Sequence, residues 1–303
     1  MNRREVLKAS LAGAVSLWAP GVLRTQQGVR RLTEKLAVVN GGGANLLAFS
    51  AGDGLVLVDS GAPKSAEQVM AALKDVGGAS KVQTLFNTHY HTDQTGNNAL
   101  FVAAAGAKII AHERTRQWMA VDHWVPAEDR YEKARPKAAW PTEIFQTTGS
   151  LKAGTEQIDY GYLPLAHTSG DIYVYFKTSN VLAVGDVASP LRDPALDYFT
   201  GAWIGGRVDA MDLLLKLGDE QARIVPGYGP VMTRAELKAE RDMMEEVRAR
   251  LFKQVREGEG PKEMYEGGVL KGLARTWEDP YKFLYDAAKG LWAHHDKLDP
   301  NVV

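Results

Sequence analysis

The 303-residue chain contains no cysteine, which removes three chemistries together: a disulfide framework, thiolate metal ligands and a cysteine nucleophile. Stability must come from packing. Charge of one sign is also missing, since 36 Lys and Arg face 37 Asp and Glu. No basic run with interleaved aromatics occurs, so nothing marks a nucleic-acid partner. No apolar run approaches the ~20 residues that cross a bilayer, and no internal repeat is visible. What is present is ordinary globular composition, 45% hydrophobic and 24% charged, in a chain long enough to bury a sizeable core.

The first residues read as an address. Met1-Asn-Arg3-Arg4-Glu-Val-Leu7-Lys8 is a positive start, Ala9 to Ala19 a short apolar stretch, and Pro20-Gly21 ends it. Paired arginines in this setting resemble a twin-arginine export signal. Residues 1–28 are expected to be signal and linker, and the protein periplasmic or secreted.

The chemistry concentrates in Leu85-Phe-Asn-Thr-His89-Tyr-His91-Thr-Asp93-Gln94-Thr-Gly96. Val82 to Asn87 predicts a short buried strand, so the polar residues fall where it emerges into a loop. Two His one residue apart cannot share a helix face and must converge from a loop. Three later segments also follow strand-like runs: Ala166-His167-Thr-Ser-Gly170-Asp171, Leu182-Ala-Val-Gly185-Asp186 and Ile224-Val-Pro226-Gly227-Tyr228-Gly229-Pro230. Loops at one sheet edge, ordered by the sheet, are what a metal site needs.

Taken together, these segments resemble the metallo-β-lactamase-fold metallo-hydrolases, a superfamily marked by HxHxDH, a distant His, a distant Gly-Asp and a closing PGHG. The resemblance covers about residues 35 to 230. It implies an α/β fold, an αββα sandwich of two mixed sheets with helices outside. It further implies a first metal on His89, His91 and His167, a second on Asp93, and Asp186 as the bridge. Two positions depart: Gln94 stands for the last His of the first motif and Tyr228 for the His of PGHG. Amide and phenol are weak ligands beside imidazole, so the second site is expected to be empty or feebly occupied.

The expected activity is hydrolysis of a small ester, amide or lactone-like substrate by one zinc and its hydroxide. Asp93, released from metal duty, is expected to orient or deprotonate the water, and Tyr228 to donate to an oxyanion. Asp59 is expected to support the site without ligating. One alternative is a mononuclear iron, persulfide dioxygenase-like enzyme using His89, His167 and Asp186. The other is a non-catalytic binding protein on the same scaffold.

The rest of the chain frames this. Asn40-Gly41-Gly42-Gly43-Ala44-Asn45 reads as a hairpin, because no phosphate-loop residues follow. Helices are expected at Pro63–Val76, Gln94–Ala104 and Arg114–Val121. Asp122 to Thr142 reads as a long excursion, which the resemblance implies overhangs the metal cleft. His112, His123, His294 and His295 read as surface residues, with His123 a candidate replacement ligand. Ala188 to Arg207 is expected to line a pocket, with Arg192 or Arg207 holding a substrate carboxylate. The sandwich is placed at 29–231 and a helical extension at 232–303, opening with a Thr233–Glu236 capping box. Its last helix, from Pro280, is expected to dock through Tyr281, Leu284, Tyr285 and Trp292.

Overall fold

The computed structural model describes residues 28–77, 81–125 and 130–294. The expected export signal and His295 lie outside them.

Strands β1 (Val29–Arg31), β2 (Leu36–Asn40), β3 (Asn45–Ser50) and β4 (Leu55–Val58) form an antiparallel meander. Asn40 pairs with Asn45, and its Oδ1 accepts from the N–H of Gly42 and Gly43 at 2.9 Å. Both glycines have positive φ, +85° and +112°, which L side chains adopt only under strain. The segment is the expected hairpin.

Helix α1 (Ala66–Gly77) crosses to β5 (Val82–Phe86), which lies parallel to β4. It starts after the expected Pro63, with Ser65 accepting the Val69 N–H through its carbonyl at 2.9 Å. The single helix expected at Gln94–Ala104 is two, α2 (Thr92–Thr95) and α3 (Asn98–Ala105). They part at Gly96, where a Cβ would sit 2.4 Å from the Pro63 nitrogen. Strand β6 (Lys108–His112), α4 (Glu113–Met119), a ribbon of β7 (His123–Val125) and β8 (Arg130–Glu132), and β9 (Glu143–Phe145) follow. The first sheet thus has seven strands, β1-β2-β3-β4-β5-β6-β9.

The second sheet has six, in sequence order: β10 (Thr148–Ala153), β11 (Glu156–Tyr162), β12 (Ile172–Phe176), β13 (Val181–Gly185), β14 (Arg223–Pro226) and β15 (Met232–Thr233). Helix α5 (Ile204–Leu214) is the crossover between the parallel strands β13 and β14. Alternate residues of β2 separate the layers: Leu36 and Val38 face the second sheet, whereas Ala37 and Val39 pack with α1. Phe86 meets Tyr160 at 5.1 Å and Phe49 meets Phe176 at 5.8 Å across the inter-sheet core. Helices outside two packed sheets make the αββα sandwich.

Helix α6 (Arg234–Arg256) starts at the Thr233–Glu236 capping box and buries Leu237, Met244, Val247 and Leu251. After α7 (Pro261–Glu266), α8 (Pro280–Ala293) packs through Phe283, Leu284, Ala287, Ala288 and Leu291. Here the aromatic spacing misled: Tyr281 is 45% exposed and Trp292 57%. Leu284 docks as expected, and Phe283, Ala287, Ala288 and Leu291 at helical spacing complete the face. These helices share one apolar cluster with α5, β13 and β14. The default surface reading also fails for His112, which is buried, stacks on Tyr162 at 4.0 Å and accepts the Arg114 N–H at the start of α4.

Truncating Phe86 to Ala should lower unfolding free energy by ~3–5 kcal/mol through lost burial and a residual cavity. Urea midpoints with an unchanged m-value would show it; a change below ~1 kcal/mol would mean the sheets do not pack through this ring.

Candidate metal centre

Beyond β5 the chain stays in register for one residue, the Asn87 N–H reaching the Ile110 carbonyl at 3.0 Å, and then releases Thr88 and His89. Asp59, just after β4, accepts from the Thr88 N–H at 2.8 Å and the Thr88 hydroxyl at 2.7 Å. With its proton so directed, the Thr88 oxygen accepts from His89 Nδ1 at 3.0 Å. This assigns the His89 proton to Nδ1. His89 Nε2 is left as a buried lone pair with no partner.

His167 is fixed in a similar way. Asp171 accepts from the backbone N–H groups of His167 and Thr168 and from the Thr168 hydroxyl, at 2.7–2.8 Å. His167 Nδ1 then donates to the Ala195 carbonyl at 2.9 Å, leaving Nε2 to face the site. His91 has the opposite orientation: its Nε2 lies 3.5 Å from Asp197 Oδ2, which also accepts from the Tyr90 hydroxyl at 2.6 Å. His91 Nδ1 therefore turns inward, 3.0 Å from His167 Nε2.

The three imidazoles meet with one nitrogen each, all within 4.8 Å of one another. An orphaned buried Nε2 and two further inward nitrogens fit a borderline cation such as zinc, which favours imidazole. Burial, then the charges of His167 and His91, hold His89 well below the usual imidazole range. Burial and the charge of His91 take His167 down to about 4, so both are neutral donors at pH 7. Burial also disfavours charge on His91, but the hydrogen bond and charge of Asp197 outweigh it and raise His91 to about 8. A proton on His91 Nδ1 can bridge to His167 Nε2. A cation held by the three nitrogens would take that proton's place.

Asp186 and Asp93 stand outside the imidazole cluster. Asp186 follows β13, with Oδ2 3.8 Å from His167 Nε2 and Oδ1 3.5 Å from the Gln94 amide nitrogen. Burial and then Asp93 raise its carboxyl to about 6. A Cβ on Gly227 would lie 1.8 Å from Asp186 Oδ1, so the turn beneath this carboxylate needs glycine. Asp93 is turned onto Tyr228, whose hydroxyl donates to Asp93 Oδ2. The phenol that was expected to serve an oxyanion has its proton committed to a carboxylate of the chain.

Two more expectations change. Arg207 is fully buried and donates to the Asp186 carbonyl at 2.9 Å and the Ser189 hydroxyl at 2.8 Å, with Glu240 at 3.4 Å. It fixes the Asp186 loop and cannot reach a substrate carboxylate. Arg192 is exposed, 3.4 Å over the Tyr228 ring. His123 is neither a ligand nor a surface residue: it is buried edge-on to Tyr90 and Trp118, each at 5.4 Å. Thr88, Tyr90, Asp171 and Asp197 escaped the sequence reading. Only Thr88 carried a signal, its place between the strand and the first His.

A cavity of about 280 Å³ opens at His91 and His167. Trp124 of the ribbon lines it, as the overhanging excursion implied, with Tyr90, Leu196 and Phe199.

Replacing Thr88 by Val should weaken zinc binding ~10–100-fold, because it removes the group that orients His89; chelator competition would measure it, and an unchanged affinity would refute the relay. Ligating nitrogens must be free of protons. Zinc affinity should therefore fall as pH drops below about 8, where His91 gains its proton, and level off above that. Calorimetry in buffers of different ionisation enthalpy should show proton release at pH 7 and little at pH 9.

The family model described as "Metallo-beta-lactamase superfamily" matches residues 39–228. A type 2 metallo-beta-lactamase of Bacillus sp. (strain 170) is 24% identical over 62% of this chain and 67% of its own. A hydroxyacylglutathione hydrolase of Polaromonas sp. is 40% identical over a shorter stretch, 22% of this chain, which spans only 25% of that protein. In three dimensions, a stereoselective inverting sec-alkylsulfatase of Pseudomonas sp. superposes with a TM-score of 0.64 at 14% identity, over 91% of this chain and 51% of its own. That likeness is one of fold and extends beyond the sandwich into the C-terminal helices. With the family match running through all four loops that surround the three imidazoles, the chain belongs to the metallo-beta-lactamase superfamily.

Proposed function

We propose that this protein is a hydrolase that works with one metal ion, zinc, held by His89, His91 and His167, on a small ester, amide or lactone-like substrate. The observation that carries the reading is the contrast between two halves of the site. Three inward imidazole nitrogens converge, two of them facing each other at 3.0 Å and the third without a partner. The two carboxylates beside them face donors of the chain instead: Asp186 faces the Gln94 amide and Asp93 receives the Tyr228 hydroxyl. Gln94 and Tyr228 stand where the motif has His, so the residues that replace two ligands also hydrogen-bond the carboxylates a second ion would need.

Zinc with an open position supplies a bound water of pKa ~7 and hence hydroxide near neutrality. The chain's part is to move a proton and to hold the substrate. Asp186, with a carboxyl titrating at about 6, is ionised at neutral pH and accepts a proton at Oδ2. Asp93, tied to Tyr228, orients water. Trp124 and Phe199 shield the reacting group from bulk water.

A two-His, one-carboxylate iron face would use His89, His167 and Asp186 but leave His91 inside the cluster with no task, which favours zinc. The twin-arginine-like start supports export from the cytoplasm, by a route that carries folded proteins and so suits a chain that takes up its metal before leaving.

Elemental analysis should find about one zinc per chain, and Gln94→His with Tyr228→His should raise it toward two. His167→Ala should lower kcat/KM for an activated ester by ~10³ or more. Two ions in the unaltered protein, or iron with oxygen uptake, would overturn the reading; ligand binding and phenotype unaffected by His167→Ala would favour a binding protein.

A further inference from the structure

The cavity at the imidazoles has a wall from an element far outside the family match. Lys282 and Asp286 of α8 line it, together with His91, His167, Trp124 and Phe199. We propose that α8 completes the substrate pocket and that Lys282 recognises an anionic group, such as a carboxylate, at the end of the substrate remote from the scissile bond. The proposal rests on the hydrolase reading and names the substrate class for the same site.

Lys282 is held in place at both ends. Its N–H donates to Asp279 at 3.0 Å, capping α8, and its Nζ donates to Asp286 Oδ2 at 2.6 Å one turn on. An ammonium has three N–H groups. One is taken by Asp286, and the side chain is 50% exposed, so two donors remain for a ligand without a large desolvation cost.

The wall's carboxylates point the same way. Asp197 already receives Tyr90 and faces His91, and Asp286 receives Lys282. A cationic ligand would have to compete with these donors, whereas an anion finds N–H groups to accept from. On the walls of the same cavity, Tyr90, Trp124 and Phe199 suit a short apolar or aromatic body. The cavity, about 280 Å³, lies near the ~300 Å³ lower end of small-molecule sites.

Helix α8 is a fixed wall. A Cβ on Gly290 would lie 3.0 Å from the Ala202 carbonyl and the Trp203 Cβ, so helix and loop touch closely. His294 stacks on Trp203 at 4.9 Å and bonds the Gly201 carbonyl at 2.9 Å. The same loop carries Asp197, which faces His91. Helix and metal centre therefore share one support.

The test uses full-length, zinc-loaded protein and two probes of equal length, a phenylalkanoate and the matching phenylalkanol, titrated by calorimetry. Lys282→Met should weaken the carboxylate ~10-fold or more and leave the alcohol within ~2-fold, as expected for losing a charged hydrogen bond. Lys282→Arg should retain most of the carboxylate preference. Any carboxylate contact with the metal is common to all three proteins and cancels in the comparison. An equal loss for both probes, or no loss for either, overturns the proposal. Zinc content and ester turnover, read on the same samples, report separately on the hydrolase reading: a protein with no metal or turnover that still showed the Lys282-dependent preference would sink that reading and keep this one.

Discussion

Each imidazole of the centre is gripped from behind, and everything the site can do follows from which of its nitrogens that grip leaves free. Thr88, itself fixed by Asp59, takes His89 Nδ1. The Ala195 carbonyl takes His167 Nδ1, and Asp197 takes His91 Nε2. A neutral imidazole has one donor and one acceptor, so these outer contacts present two Nε2 atoms and one Nδ1 to a common point. Two neighbouring His on one loop can converge only because their rings use different nitrogens.

The sandwich makes that grip possible by bringing its partners from separate places. Asp59 comes from the end of β4, Thr88 from the end of β5, and Ala195 and Asp197 from the loop after β13. The loops approach so closely that side chains are excluded between them. Gly185 would place a Cβ 2.7 Å from Thr88 Oγ1, and Gly227 one on Asp186. Arg207, buried and bonded to the Asp186 carbonyl, holds the last of these loops against α6 through Glu240. A buried arginine of this kind contributes position more than stability.

Much of this was legible in the sequence where the signal is local. Alternating imidazoles after an apolar run, glycine hairpins and the Thr233–Glu236 capping box each depend on neighbours in the chain, whereas the αββα layering came from the family resemblance that those motifs carry. What stayed hidden depends on tertiary partners. Asp197 has no spacing that links it to His91. Arg207 looked like a substrate ligand because nothing local shows that α6 would cover it. The face of α8 was read right at Leu284 and wrong at Tyr281 and Trp292, which stood out over Phe283, Ala287, Ala288 and Leu291, the residues that pack. The last helix, expected only to dock, also lines the cavity beside the metal centre.

The central claim is that three imidazoles, with nitrogens selected by Thr88, Ala195 and Asp197, hold a single ion while Gln94 and Tyr228 close off a second. X-ray absorption at the zinc edge of loaded protein tests it most directly. The expected first shell is three imidazole nitrogens and a light oxygen near ~2.0–2.1 Å, with no metal neighbour at ~3.5–4 Å. Fewer than three imidazoles, or a metal–metal vector at that distance, would contradict it.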